Sequence, residues 1–191
     1  MANWAYTSYA IEGPKEDLQK IEQAILHPEV KEGSDERWEG NVLNTLGSKW
    51  IGRDQDRENG LYIRGFIDGD PWWVNDALRF CAQEAWNITD FHIALRDLFP
   101  DCNIFWTIEE SGMALYGTND AEGKYFPERF YVDACINDEY MSEYFQSEEA
   151  AYKWLSEHTD GQVTNEKQVE IFNTECREDD FIEVHEYNIF N

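Results

Sequence analysis

The sequence predicts an α+β fold in which an antiparallel sheet carries helices on one face. Two observations lead there. Stretches that alternate apolar and polar residues interleave with stretches of helical spacing, in the order strand–helix–strand, strand–helix–strand. Aromatic residues make up 15% of the 191-residue chain, with 8 Trp, 10 Tyr and 11 Phe, enough apolar surface to form a core despite the acidity. The length suits one domain, or one domain with an elaborated end.

Asn3 to Glu12, rich in aromatic and β-branched residues and closed by Gly13, reads as the first strand. Pro14 stands where a first helical residue belongs, and Leu18, Ile21, Ile25 and Leu26 mark one face of a helix ending near His27-Pro28. A second helix is expected after Ser34 as N-cap, with Trp38, Val42, Leu43 and Leu46 as its stripe and Gly47 as its stop. Residues 52–60 form a polar loop, Leu61 to Asp68 a strand, and Asp68-Gly69-Asp70-Pro71 a turn. Ala77 to Trp86 fits two patterns: its composition favours helix, yet Leu78, Phe80 and Ala82 alternate.

Thr89 is expected to cap a helix whose buried face is Phe91, Ala94, Leu95, Leu98 and Phe99, with Pro100 ending it. Asn103 to Glu109 and Met113 to Thr118 read as a hairpin around Ser111-Gly112, and Tyr125 to Ile136 as one long strand. Ser147 caps a helix burying Ala151, Trp154, Leu155 and His158 and ending at Gly161. A helical segment near 166–176 and a terminal strand from Phe181 to Phe190 complete the chain.

The charge is extreme: 40 Asp and Glu against 15 Lys and Arg leave a formal net charge of -25. Direct binding of nucleic acid is not expected, because that affinity rests on Lys and Arg displacing counterions. An anionic membrane surface is disfavoured on the same grounds, and no run of about 18 apolar residues is present to span one. A basic protein surface would be attracted; high charge also simply keeps a protein soluble. The start, Met1-Ala2-Asn3-Trp4, lacks the basic segment and apolar run of a signal peptide, so a cytoplasmic protein is expected. Cys81, Cys102, Cys135 and Cys176 are scattered without a Cys-x-x-Cys pair and read as free thiols there.

No linear motif for catalysis, metal or cofactor emerges. His27, His92, His158 and His185 lack ligand spacing, and His27 and His158 sit at expected helix C-termini, where the helix dipole favours an imidazolium. Asp68-Gly69-Asp70 followed by Asn75-Asp76 lacks the alternation and distal Glu of a calcium loop. Gly60, Gly65 and Gly69 are not followed by Gly-Lys-Ser/Thr, so they are turn and strand glycines and not a phosphate cradle. Trp4, Trp72, Trp73, Trp86 and Trp106 could line a stacking groove, but isolated strand tryptophans belong more often to the core. Glu109-Glu110 is the best carboxylate pair, although neighbours in a strand face opposite ways.

Three short segments together resemble the YubB-type ferredoxin-like domain family of plasmids, phages and other mobile elements. Met1-Ala2-Asn3-Trp4 and Gly13 match its opening, with Ala5 and Thr7 in place of the family's Cys and second Asn. Ala85-Trp86 matches an Ala-Trp that precedes its second main helix, with Asn87-Ile88 replacing the usual Ser-Pro. Phe99-Pro100, Glu109-Glu110-Ser111-Gly112 and Gly117 match the family's residues beyond that helix. The resemblance implies a ferredoxin-like core over residues 1–120 and a strand at Ala77 to Trp86. It implies no chemistry. Residues 121–191 are expected to form an acidic α/β extension packed on that core as one structural unit.

Two functions fit. The first is a non-enzymatic acidic interaction protein that binds a basic protein partner and needs no cofactor, with nucleic-acid mimicry as a minority version. From Asp138 to Asn191 there are 15 Asp and Glu against 3 Lys and Arg, so 15 − 3 leaves 12 net negative charges among folding-competent aromatics. Glu178, Asp179, Asp180, Glu183 and Glu186 are its expected partner-binding residues. The second is a small enzyme whose site is assembled from dispersed residues, a cleft of Trp86, His92, Glu109 and Glu110.

Overall fold

A computed structural model describes residues 3–48, 61–177 and 179–190, so the expected polar loop at 52–60 lies outside the described residues. The fold is α+β and divides into two compact units, Met1–Leu115 and Tyr116–Asn191.

In the first unit, β1 (Trp4–Glu12) pairs antiparallel with both β3 (Ala77–Ala85) and β4 (Asn103–Glu110), and β2 (Gly65–Val74) pairs antiparallel with β3. The strand order is therefore β2-β3-β1-β4. Alternation sends Ala5, Tyr9 and Ile11 of β1, Leu78, Phe80 and Ala82 of β3, and Trp106 and Ile108 of β4 into one core. Three helices supply the other half: α1 (Lys15–Leu26), α2 (Glu39–Thr45) and α3 (Phe91–Leu98) contribute Leu18, Ile21, Val42, Leu43, Phe91 and Leu95. Of the two patterns open for Ala77 to Trp86, the alternating one prevails, because β3 is a central strand paired on both sides.

Three local expectations differ from the structure. Ser34 does not cap α2; Trp38 holds that position in extended backbone, and the Ser34 hydroxyl donates to the Lys31 carbonyl (2.7 Å). The expected turn at Asp68–Pro71 is a bulge inside β2: Gly69 takes φ +79°, pairing with β3 shifts between Asp68 and Trp72, and the chain turns later, at Asn75 with φ +53°. Continuing the strand lets Trp73 pack against the core and donate its indole N–H to Glu22 (2.6 Å), while Trp72 on the opposite face stays exposed. Asp90, not Thr89, holds the N-cap position of α3.

The second unit has its own core. β6 (Phe130–Ile136) lies between β7 (Glu139–Phe145) and β8 (Phe181–Glu186), antiparallel to both. Val132, Ala134, Ile136 and Ile182 pack with Ala151 and Leu155 of α4 (Glu148–His158), and Val169 and Phe172 of α5 (Glu166–Glu175) pack against that cluster. Ser147 caps α4 as expected, accepting from the Ala150 N–H (3.2 Å). Within this unit the last strand, β9 (Asn188–Ile189), runs parallel to Gly117-Thr118 of β5 (Leu115–Thr118).

The long strand expected over Tyr125–Ile136 begins only at Phe130. The buried Asp120 carboxylate accepts from the backbone N–H groups of Lys124 (3.1 Å), Tyr125 (2.6 Å) and Phe126 (2.9 Å), which removes them from any ladder. The Arg129 guanidinium fixes the same loop through the carbonyls of Asp120, Ala121, Phe126 and Glu128. The sequence does not announce β7: it begins after a tight hairpin at Asn137-Asp138, whose φ values of +55° and +65° are those of a primed turn. The terminal strand breaks at Tyr187, whose N–H donates to the Arg129 carbonyl (2.9 Å).

Leu95 is fully buried between helix and sheet. Replacing it with Ala should lower unfolding free energy by about 2–5 kcal/mol in urea titrations; an effect below about 1 kcal/mol would contradict this packing.

Candidate functional site

The strand and helix patterns that build the first core also carry two glutamates into it. Glu84 follows Leu78, Phe80 and Ala82 on the buried face of β3, and Glu39 opens α2 beside the apolar Val42 and Leu43. Both are 0% exposed. Isolated carboxylates cannot be buried at this depth without hydrogen-bond partners.

Glu84 has those partners. It accepts from the hydroxyls of Thr7, Tyr9 (2.9 Å) and Thr89 (2.7 Å), and from the Thr89 N–H (3.2 Å). Glu39 is poorer: one oxygen lies 3.1 Å from the Thr89 hydroxyl oxygen, and the other has no partner among the described residues. Thr89 has one hydroxyl proton, and the shorter contact assigns it to Glu84. A proton on Glu39 then completes the chain, Glu39 donating to the Thr89 oxygen and Thr89 to a charged Glu84. Burial pushes the Glu39 carboxyl well up, and the neighbouring Glu84 charge adds to this. Burial also raises Glu84, but its Thr7, Thr89 and Tyr9 hydrogen bonds oppose the rise. Burial beside these carboxylates likewise pushes the Tyr9 phenol well up. Both carboxyls are sealed from solvent, and their burial side by side disfavours ionising both.

The second arrangement is the face of the β7-β6-β8 sheet turned away from its helices. Because Val132, Ala134 and Ile136 point into the core, Tyr131, Asp133 and Cys135 point the other way. Register places Tyr144 and His185 beside Tyr131, and Ser142 and Glu183 beside Asp133. The rings form a row: Tyr144 to Tyr131 is 4.8 Å between centroids, Tyr131 to Tyr116 5.4 Å, and Tyr116 to His185 4.5 Å. Tyr140 hydrogen-bonds Asp133, and that bond, first among the causes, raises its phenol to about 12. Tyr140 and Tyr144 are exposed.

No family of proteins, no curated protein and no solved structure matches this chain.

The residues singled out from sequence are dispersed by these two arrangements. His92 packs its ring on the buried Trp106 and bonds the Thr89 carbonyl through Nδ1 (2.9 Å), whereas Glu109, paired with Tyr6, falls on the opposite face of the sheet. Trp86 is exposed at the end of β3 with φ +72°, and Glu110 leans toward Gly112. Glu183 joins Asp133 on the open face, but Glu186 alternates with it onto the other side of β8. Asp180 is buried and accepts from the Asp138 N–H (3.4 Å), Asp179 is exposed, and Glu178 lies outside the described residues. His158 holds the last turn of α4 through the Trp154 carbonyl (2.8 Å). Cys81 and Cys102 are buried, Cys135 and Cys176 half-buried, and all four are free. Among the described residues no three His, Cys, Asp or Glu gather as metal ligands, and no helix is long and apolar enough to cross a membrane.

Glu39 and Glu84 were missed, though a signal existed. Each is a charged residue at a position that its own periodicity assigns to the core.

The network makes an asymmetric prediction. Glu84→Gln turns an NH₂ group toward donors and should cost about 1–3 kcal/mol more than Glu39→Gln in urea unfolding; equal costs would contradict the assignment of charge and proton. Because both folded pKa values are raised from 4.5, the pair's contribution is complete below that value and is lost as pH rises through the folded values. Burial lowers His92 from 6.5, and its contribution is instead lost as pH falls. Stability of Glu39→Gln should therefore decline less steeply above pH 4.5 than that of the wild type.

Proposed function

We propose that the protein is a non-enzymatic, acidic interaction protein whose second unit presents fixed carboxylates to a basic protein partner. The observation that carries this reading is that much of the acidic segment is folded on its own core. Exposed Glu139 and Glu143 lie on β7, exposed Glu183 and Glu186 on β8, and exposed Asp179 just before β8. A rigid anionic surface steers a cationic partner, with an association rate that falls as salt screens it. The ferredoxin-like reading of the first unit is part of the proposal, supported by the element order β1-α1-α2-β2-β3-α3-β4 and the antiparallel strand order β2-β3-β1-β4. A mobile-element setting is carried by the resemblance of the short segments alone.

Affinity capture from host lysate at low salt, with wild type beside Asp179→Asn/Glu183→Gln/Glu186→Gln, tests the reading. Wild type should recover basic proteins that raised salt releases and that the triple variant fails to hold. Recovery of the same proteins by both, or of no basic protein by either, would leave the acidity a matter of solubility. Asp180 is kept intact because its carboxylate supports the Asp138 backbone.

A further inference from the structure

We propose that the open face of the β7-β6-β8 sheet binds arginine side chains of a basic protein segment, the rings of Tyr144 and Tyr131 stacking on guanidinium groups that Asp133 and Glu183 hold by charge. This rests on the acidic-interaction reading and adds the chemistry of the partner and the place where it docks.

The first ground is a cross-strand pair of like charges. Asp133 and Glu183 stand directly opposite each other on neighbouring antiparallel strands, and side chains so placed have Cβ atoms about 4.5–5.5 Å apart. Like charges in that relation destabilise a sheet. The strands β6, β7 and β8 contain no Lys or Arg that could separate them. The unit's arginines are committed elsewhere, Arg129 to four loop carbonyls and Arg177 to Asp138 (3.3 Å). Glu183 does meet the His185 ring, its Oε2 lying 3.3 Å from Nε2. That contact uses one oxygen of an otherwise exposed carboxylate.

The second ground is an unmet demand for a donor. The Asp133 carboxylate takes the Tyr140 hydroxyl, yet its Oδ1 is shut off from solvent and has no hydrogen-bond partner among the described residues. A carboxylate oxygen in that state costs more than one in water, and a charged donor is the partner that offsets it best. Tyr140 is 63% exposed, so the group beside Asp133 is free to swing as a ligand arrives.

The third ground is the ring row. An exposed tyrosine face beside carboxylates suits a cation that is flat, since a guanidinium stacks on the ring and still points its N–H groups at the acid edge. A lysine ammonium offers a point charge without the planar fork, and a nucleic-acid base would bring phosphates against Asp133 and Glu183. The same rings that would serve as a base-stacking platform on a basic protein therefore select arginine here.

Isothermal titration of the full chain with hexa-arginine and hexa-lysine peptides at low salt tests this. The arginine peptide should bind more tightly than the lysine peptide, and Asp133→Asn or Glu183→Gln should each weaken it by about tenfold or more. Tyr144→Leu should weaken it severalfold, and Tyr144→Phe should restore it by keeping the ring. Glu166→Gln/Glu170→Gln on α5 serves as a control of equal or greater charge loss, with an expected change of about twofold or less. Equal binding of both peptides, with α5 and sheet-face variants losing equally, would overturn the arginine face and leave the diffuse acidic reading standing. Failure of both peptides to bind wild type would overturn both readings, and failure of the arginine peptide alone would overturn the arginine face. Unfolding curves of the Asp133→Asn, Glu183→Gln and Tyr144→Leu chains should match that of the wild type, which separates loss of binding from loss of fold.

Discussion

Placing two carboxyl groups in one dry core is possible only if they do not both ionise, and the first unit is arranged around that requirement. Glu39 comes from the start of α2 and Glu84 from the end of β3, while their donors come from β1 and from the connection into α3. Residues distant in sequence are thereby tied by directional bonds that apolar packing alone does not give. Thr89 is the hinge of the arrangement, its single hydroxyl lying between the two acids. Its hydroxyl oxygen also accepts from the Phe91 N–H at the start of α3 (3.3 Å). Gly65 answers to the same constraint: a Cβ there would stand 2.4 Å from the Glu39 carboxyl carbon, so a larger residue would push the acid out of place.

Much of the first unit was legible because its signals are local. Pro14 at a helix start, the spacing of Leu18, Ile21 and Ile25, and the alternation in Asn3 to Glu12 each state their structure within one turn or a few strand residues. The features that sequence could not show depend on partners far along the chain. Gly69 and Pro71 announce a turn, yet the pairing of Trp72 to Val74 with β3 converts it to a bulge. Tyr125 and Phe126 have strand composition, but Asp120 claims their N–H groups. Asn137-Asp138 makes a primed hairpin turn without the glycine that normally advertises one, which hid β7.

The candidate sites show the same division. The acidity of the last 54 residues could be counted from sequence, and it drew attention to Glu183. Reading Glu178 to Glu186 as one surface ignored the period of the strand, which sends Glu183 and Glu186 to opposite faces and buries Asp180 ahead of them. Asp133 carried no signal of its own, because a lone acid among Tyr131, Val132 and Ala134 becomes notable only when register brings Glu183 beside it. The expected grouping of His92 with Glu109 met the same rule, since strand alternation turns Glu109 to the face of the sheet opposite His92. The two halves of the chain thus place like charges differently: the first buries Glu39 and Glu84 in its core, the second sets Asp133 and Glu183 opposite each other on one face of its sheet.

The raised Glu39 carboxyl is directly measurable. Carbon-13 NMR of the glutamate side-chain carboxyls, followed from acid to alkaline pH, should show one carboxyl titrating well above the ordinary range, with its signal absent from the Glu39→Gln chain. A spectrum in which every glutamate carboxyl titrates in the ordinary range, near 4.5, would contradict it.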